Sequence, residues 1–131
     1  MSEVDGPFLE AVNRTLAGAR LGEVRFQRYS GSLQFDGVYG AVSVSWSGWL
    51  ALGPMPETGE EDDEFRTAPI VGPFIECELS AIRKQGDLYV LDFTDGRSLF
   101  AGKWKDDKVS DNILLVTAKS ADAPITWGLL D

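Results

Sequence analysis

Residues 40–52 read Gly40-Ala41-Val42-Ser43-Val44-Ser45-Trp46-Ser47-Gly48-Trp49-Leu50-Ala51-Leu52. Val42, Val44, Trp46, Leu50 and Leu52 share one parity, and Ser43, Ser45 and Ser47 share the other. Side chains alternate across a strand, so this run predicts a half-buried strand with one apolar and one polar face. Trp49 interrupts the polar parity and is either exposed or covered by a helix. Gly48 in mid-run allows a bulge or bend.

Working outward, the same rhythm recurs. Residues 21–29 hold Val24 and Phe26, and Leu33 alternates with Phe35. Ile75, Cys77 and Leu79 alternate in the second half, where Cys77 reads as a small core residue. Gln85-Gly86-Asp87 is a turn, residues 88–93 are apolar, and Asp95-Gly96 is a hairpin signal. Leu99 to Trp104 returns as its partner. Residues 113–118 read as a fully buried strand or a short helix, and residues 125–130 close the sheet.

One helix precedes these strands. Asp5 can cap it and Pro7 suits its first turn, where the missing N–H has no partner to lose. Phe8, Val12 and Leu16 form an apolar stripe at i, i+4, i+8, Glu10 and Arg14 lie outward, and Gly18 is a stop. The fold class expected is α+β: one N-terminal helix on a mainly antiparallel, twisted sheet or partly open barrel. A single domain spans residues 1–131, with one long acidic loop at 53–69.

Shifting the chain by 58 positions lays residues 21–46 on 79–104 without gaps. Leu21/Leu79, Arg25/Arg83, Gln27/Gln85, Leu33/Leu91, Phe35/Phe93 and Trp46/Trp104 are identical. Either two duplicated β-meanders or two meanders sharing a common pattern produce this. In both cases the repeat builds a sheet face and carries no chemistry.

The chemistry available is narrow. There are no histidines, which removes Ser-His-Asp and Cys-His catalysis and the usual zinc sites. No phosphate-binding loop, dinucleotide fingerprint or EF-hand spacing occurs. With one cysteine, no intramolecular disulfide is available. Glu76, Glu78, Asp92 and Asp36 lie on expected strands and would serve a two-carboxylate hydrolase only if paired in a cleft. No catalytic residue, metal or cofactor is expected.

The charge is −9 and uneven: Glu57, Glu60, Glu61, Asp62, Asp63 and Glu64 fall in one short stretch, and the other 15 of the 21 acids nearly balance the 12 bases. Nucleic acid, whose phosphates need Lys and Arg, is an unsuitable partner. A basic protein is a suitable one. Phe65 directly follows the acids, an aromatic anchor beside a charged rim. Two other readings of the stretch remain: a solvated loop that aids solubility, and a divalent-cation site. No apolar run reaches the roughly 20 residues of a membrane span, and the N-terminus lacks the basic and apolar regions of a signal peptide, so the expected location is cytoplasmic.

Leu33-Gln34-Phe35-Asp36-Gly37 and Leu91-Asp92-Phe93-Thr94-Asp95-Gly96 form similar strand–turn segments. A small, acidic, histidine-free chain with one helix before a twisted sheet and an acidic loop resembles the immunity proteins of bacterial toxin systems, including contact-dependent growth inhibition and related polymorphic toxin systems. The resemblance implies tight binding to a toxin domain, expected to be a basic nuclease, and blockade of its active site or substrate-binding face. The acidic-loop assignment itself rests on charge. The alternative is a generic ligand- or protein-binding β domain, for instance a small barrel with an apolar cavity.

Overall fold

The computed structural model describes residues 2–27, 30–37, 40–55, 69–102, 114–119 and 124–129. It has the expected α+β class: one N-terminal helix and antiparallel strands in two sheets, with the barrel not closed. Helix α1 spans Ser2–Leu16. The strands are β1 (Arg20–Gln27), β2 (Ser30–Gly37), β3 (Gly40–Trp46), β4 (Trp49–Ala51), β5 (Leu79–Gln85), β6 (Leu88–Phe93), β7 (Ser98–Gly102), β8 (Leu114–Lys119) and β9 (Pro124–Leu129). One sheet runs β1-β2-β3-β8-β9 and the other β4-β7-β6-β5.

Helix α1 starts at Ser2, so Asp5 is not its cap and Pro7 lies past its first turn. Its other end is as expected. Val12 and Leu16 are fully buried, Glu10 and Arg14 are exposed, and Gly18 turns the chain at a φ of 78°. That left-handed conformation suits glycine, which has no Cβ to clash.

Parity explains the strands and their exceptions. Leu33, Phe35, Val42, Val44 and Trp46 all point into the core. Leu21 is buried on an odd position whereas Val24 and Phe26 pack on even ones. A register shift between Leu21 and Glu23 adds one residue there, and a bulge of this kind switches the parity of everything after it. Ser47 and Gly48 form a bend that carries the chain from β3 in one sheet to β4 in the other. Leu52 therefore does not continue the apolar face: it lies beyond β4 and is 53% exposed. In β8, Leu114 and Val116 are buried while Leu115 is partly exposed, so this strand alternates rather than being buried on both faces.

The spacing of 58 positions holds in three dimensions over the first hairpin of each half. The pairs Leu21↔Phe35, Glu23↔Gln34, Val24↔Leu33 and Arg25↔Ser32 become Leu79↔Phe93, Ala81↔Asp92, Ile82↔Leu91 and Arg83↔Val90, bulge included. The correspondence also reaches upstream of Leu21. Ala19 N–H donates to the Leu16 carbonyl at 2.8 Å, and Cys77 N–H donates to the Phe74 carbonyl at 2.9 Å. Gly18 and Glu76 occupy matching corners.

The two halves meet at a local two-fold. Arg20 forms a bridge with Glu78, its own counterpart. Around it the bonds are reciprocal: Leu21 N–H to Cys77 O at 2.9 Å against Leu79 N–H to Ala19 O at 2.7 Å, and Glu76 N–H to Leu21 O at 2.7 Å against Gly18 N–H to Leu79 O at 3.0 Å. The strand after each triplet then crosses over. β4 follows β3 but pairs with β7, and β8 follows β7 but pairs with β3.

The likeness stops at the second hairpin. β2 and β3 close with Gly37 opposite Gly40, whereas β6 and β7 pair Asp92 with Ser98 and Leu91 with Leu99. The second register is three residues tighter than the first, an odd number, so the inward face of the third strand flips. Leu99 and Ala101 face the core, and Phe100, the counterpart of Val42, does not. Trp104 lies outside the described residues.

Candidate functional site

Every residue expected to contact a partner, Glu57, Glu60, Glu61, Asp62, Asp63, Glu64 and Phe65, lies outside the described residues. What the structure gives is the frame on either side. On the N-terminal side, β4 is pinned to β7 by Trp49↔Gly102, Leu50↔Ala101 and Ala51↔Phe100. Trp49 is buried, its ring lying over Gly102 where a Cβ would overlap it. This settles its position: it packs on the face of the second sheet opposite Leu50. The chain then emerges at Leu52 and Met55, which are 53% and 73% exposed. Most of their apolar surface stays in water, at a cost of about 25 cal/mol per Å² relative to burial.

On the C-terminal side the chain re-enters the core at once. Residues 69–71 are helical and continue into a 3-10 helix at Gly72–Phe74. Val71 and Phe74 are buried, and the Phe74 ring lies 4.7 Å from that of Phe93. This second short helix has no counterpart in the expected loop at 53–69, whose prolines and charges mask the apolar triplet Ile70, Val71 and Phe74.

A charged cluster clamps that re-entry point. The Arg97 guanidinium lies over the Phe74 ring at 4.5 Å. Its Nη2 donates to the Pro73 carbonyl at 3.0 Å and to Cys77 Sγ at 3.1 Å, and its Nε donates to Asp95 Oδ2 at 2.7 Å. Hydrogen bonds from the Arg97 side chain and backbone hold the Asp95 carboxyl below the usual carboxylate range, and Asp95 in turn raises Arg97. Both are solvated, so the cluster orders a turn rather than storing energy. Cys77 is not the fully buried core residue its spacing suggested. It is half-buried at the core margin, Ile75 is exposed, and Leu79 alone of the three is buried. The reason is the left-handed turn at Glu76, which ends the alternation before β5 begins.

The four carboxylates considered for hydrolysis have other surroundings. Glu76 is in the turn, not on a strand, and with Glu78 it faces Arg20 at 3.8 and 3.7 Å. Asp36 is exposed at the end of β2. Asp92 accepts hydrogen bonds from Arg83 Nε at 2.7 Å and Ser98 Oγ at 2.6 Å. Burial alone would raise Asp92, but these bonds and the Arg83 charge outweigh it and hold the carboxyl below its ordinary value. A carboxylate held ionised in this way is a structural partner. Among the described residues no group of three or more metal-ligating side chains comes together.

The space between the sheets is occupied by side chains. Leu16, Leu21, Leu33, Phe35, Phe74 and Tyr89 are among the fully buried ones. No helix among the described residues is long and apolar enough to cross a membrane. In comparisons with known proteins, no family model, curated protein or solved structure matches this chain.

Sequence reasoning missed Leu52 and Met55 as surface apolar groups. Met55 had a signal, since it stands between Pro54 and Pro56 and cannot belong to a sheet interior.

Proposed function

We propose that this chain is an immunity protein that binds and neutralises a toxin domain with a basic surface, expected to be a nuclease, in the cytoplasm of the cell that makes it. The observation that carries this reading is the pairing of two features along 52–64: six acids within eight residues, and exposed Leu52 and Met55 just before them. Acids attract a basic partner over a distance of about 8 Å at physiological ionic strength. Apolar groups at the base of the run supply contact area that gains free energy only once covered. Phe65 extends the apolar contribution on the far side. The acids present to the toxin a charge pattern like the phosphates of its substrate.

The experiment is protection in cells. The candidate toxin, the protein encoded by the reading frame immediately upstream of this chain, is induced with the wild type or with a variant carrying Ser at Glu60, Glu61, Asp62, Asp63 and Glu64. Survival with the wild type and death with the variant support the reading. Equal survival with both removes the acidic run from the contact, and death with both removes the immunity role.

A further inference from the structure

The seam between the two halves, on either side of the chain that joins Met55 to Pro69, has the form of a contact between two subunits. An isologous contact uses one patch twice, so each bond has a reciprocal. Here Leu21 N–H donates to the Cys77 carbonyl while Leu79 N–H donates to the Ala19 carbonyl, and the Leu21 and Leu79 carbonyls accept from Glu76 and Gly18. Arg20 and its counterpart Glu78 pair at the centre. Away from the seam, each half is continuous by itself: β1-β2-β3 in the first and β5-β6-β7 in the second pair strand to neighbouring strand.

The bonds that unite the halves cross the seam. The ladder from Val42↔Ala118 to Trp46↔Leu114 sets β8 on β3, and the ladder from Trp49↔Gly102 to Ala51↔Phe100 sets β4 on β7. Each half thus gives strands to the sheet of the other. Asn13 of α1 holds both backbone groups of Ile82, and the Phe35 and Phe93 rings stack at 6.4 Å. Both halves contribute to one apolar core. A piece of about 60 residues with an open sheet face is marginal alone. A core divided in two is the mark of an obligate interface between subunits.

We infer that the fold is a joined pair of complementary subunits: cut between Met55 and Pro69, the halves stay together, and either half takes as partner the complementary half of a second copy. The connecting chain raises the local concentration of the partners, and the bonds across the seam supply the structure. The pairing is selective. The Trp49 ring occupies the space over Gly102 where a Cβ would overlap it. In β3 every residue from Ala41 to Trp46 carries a Cβ, so β4 of one first half has no seat on β3 of another. This inference is independent of the toxin reading.

The test begins with the full chain carrying a protease site, flanked by Gly-Ser linkers that keep it accessible, between Thr58 and Gly59. The purified, folded protein is then cut. It should elute in gel filtration as one particle of the uncut size and keep the amide protection of β3 and β8. Roughly tenfold dilution should lower its thermal midpoint and leave that of the uncut protein unchanged, because only the cut form dissociates as it unfolds. Asn13→Ala should raise the dissociation constant of the cut form about tenfold. Isotope-labelled and unlabelled cut proteins, unfolded together in urea and refolded, should give mixed pairs in native mass spectrometry, each of one first and one second half. Pieces that separate or unfold on cutting while the uncut protein stays folded, or a refolded mixture without mixed pairs, overturn the inference. Pairs of two first halves overturn the selectivity assigned to Trp49 and Gly102.

Discussion

Glu76 holds the backbone conformation of Gly18, its counterpart 58 residues earlier: both have a φ of 78°. Each stands where a helical turn hands the chain to a strand, and each donates its N–H across the local two-fold, Gly18 to Leu79 and Glu76 to Leu21. In one half a glycine meets the requirement and in the other a residue with a Cβ does. A left-handed residue other than glycine carries a cost of about 1–2 kcal/mol. Glu76→Gly should therefore stabilise the protein by about 1 kcal/mol in urea unfolding, because the loss of its solvated contact with Arg20 subtracts little. Gly18→Ala should destabilise it by about the same amount, and for conformational reasons alone, since a Cβ there meets no neighbour. Destabilisation by Glu76→Gly would contradict the equivalence of the two corners.

The Asn13 side chain closes a strand edge through both groups of one backbone unit, at Ile82. Asn13→Ala leaves an N–H and a carbonyl unpaired at a partly buried position. The expected cost is roughly 1–3 kcal/mol. Hydrogen exchange at the Ile82 amide should accelerate more than at the Arg83 amide, which faces β6. Equal acceleration along β5 would mean that the helix had moved as a whole.

Two tryptophans rest on glycines across the ladder. Trp46 pairs with Gly31 and Trp49 with Gly102, and a Cβ on either glycine would overlap the ring. At Gly31 a Cβ would also come within 2.7 Å of the Arg25 carbonyl. Ring and backbone together leave no room to adjust. Gly31→Ala should cost roughly 1–3 kcal/mol, the usual range for overpacking, and Gly102→Ala less, since flexible Leu88 is its next neighbour. Thermal unfolding of the two variants checks the order.

Asp92 ties stability to acidity. Its folded carboxyl is held below the ordinary value of 3.8, against the opposing effect of burial, by Arg83 and Ser98. For a depressed carboxyl the stabilisation is complete above the unfolded pKa and is lost as pH falls through the folded one. The wild type should thus lose this increment below about pH 4. Asp92→Asn should be less stable than the wild type at pH 6 and should lose less on acidification. Parallel unfolding curves for the two proteins between pH 6 and pH 2 would remove Asp92 from the account.

The face of each strand was legible wherever the alternation ran unbroken, as in Val42-Ser43-Val44-Ser45-Trp46 and Leu33-Gln34-Phe35. It failed where one residue changed the count. The bulge after Leu21, the bend at Ser47-Gly48 and the left-handed Glu76 each reset parity; Gly48 marked the bend in advance, whereas neither the bulge nor the turn at Glu76 was read from its local composition. The repeat was visible as six identities, yet its three-residue offset after Phe93 was not, because turn length fixes register while the strands keep their pattern. Asn13 was invisible for a different reason: its partner lies 69 residues away. Of the candidate site, the acids were evident from composition alone. The exposed Leu52 needed the bend that carries β4 out of the first sheet.

The most direct measurement of the proposed toxin binding is the association rate of this chain with the protein encoded by the neighbouring reading frame, as the candidate toxin, followed by stopped-flow fluorescence across a salt series. Binding at nanomolar affinity or tighter is expected, with an association rate that falls steeply as salt rises. Serine at residues 60–64 should slow association most and flatten the salt dependence, while Leu52→Ser with Met55→Ser should chiefly hasten dissociation. An association rate unchanged by removing the five acids, with the same salt dependence as the wild type, would contradict the account.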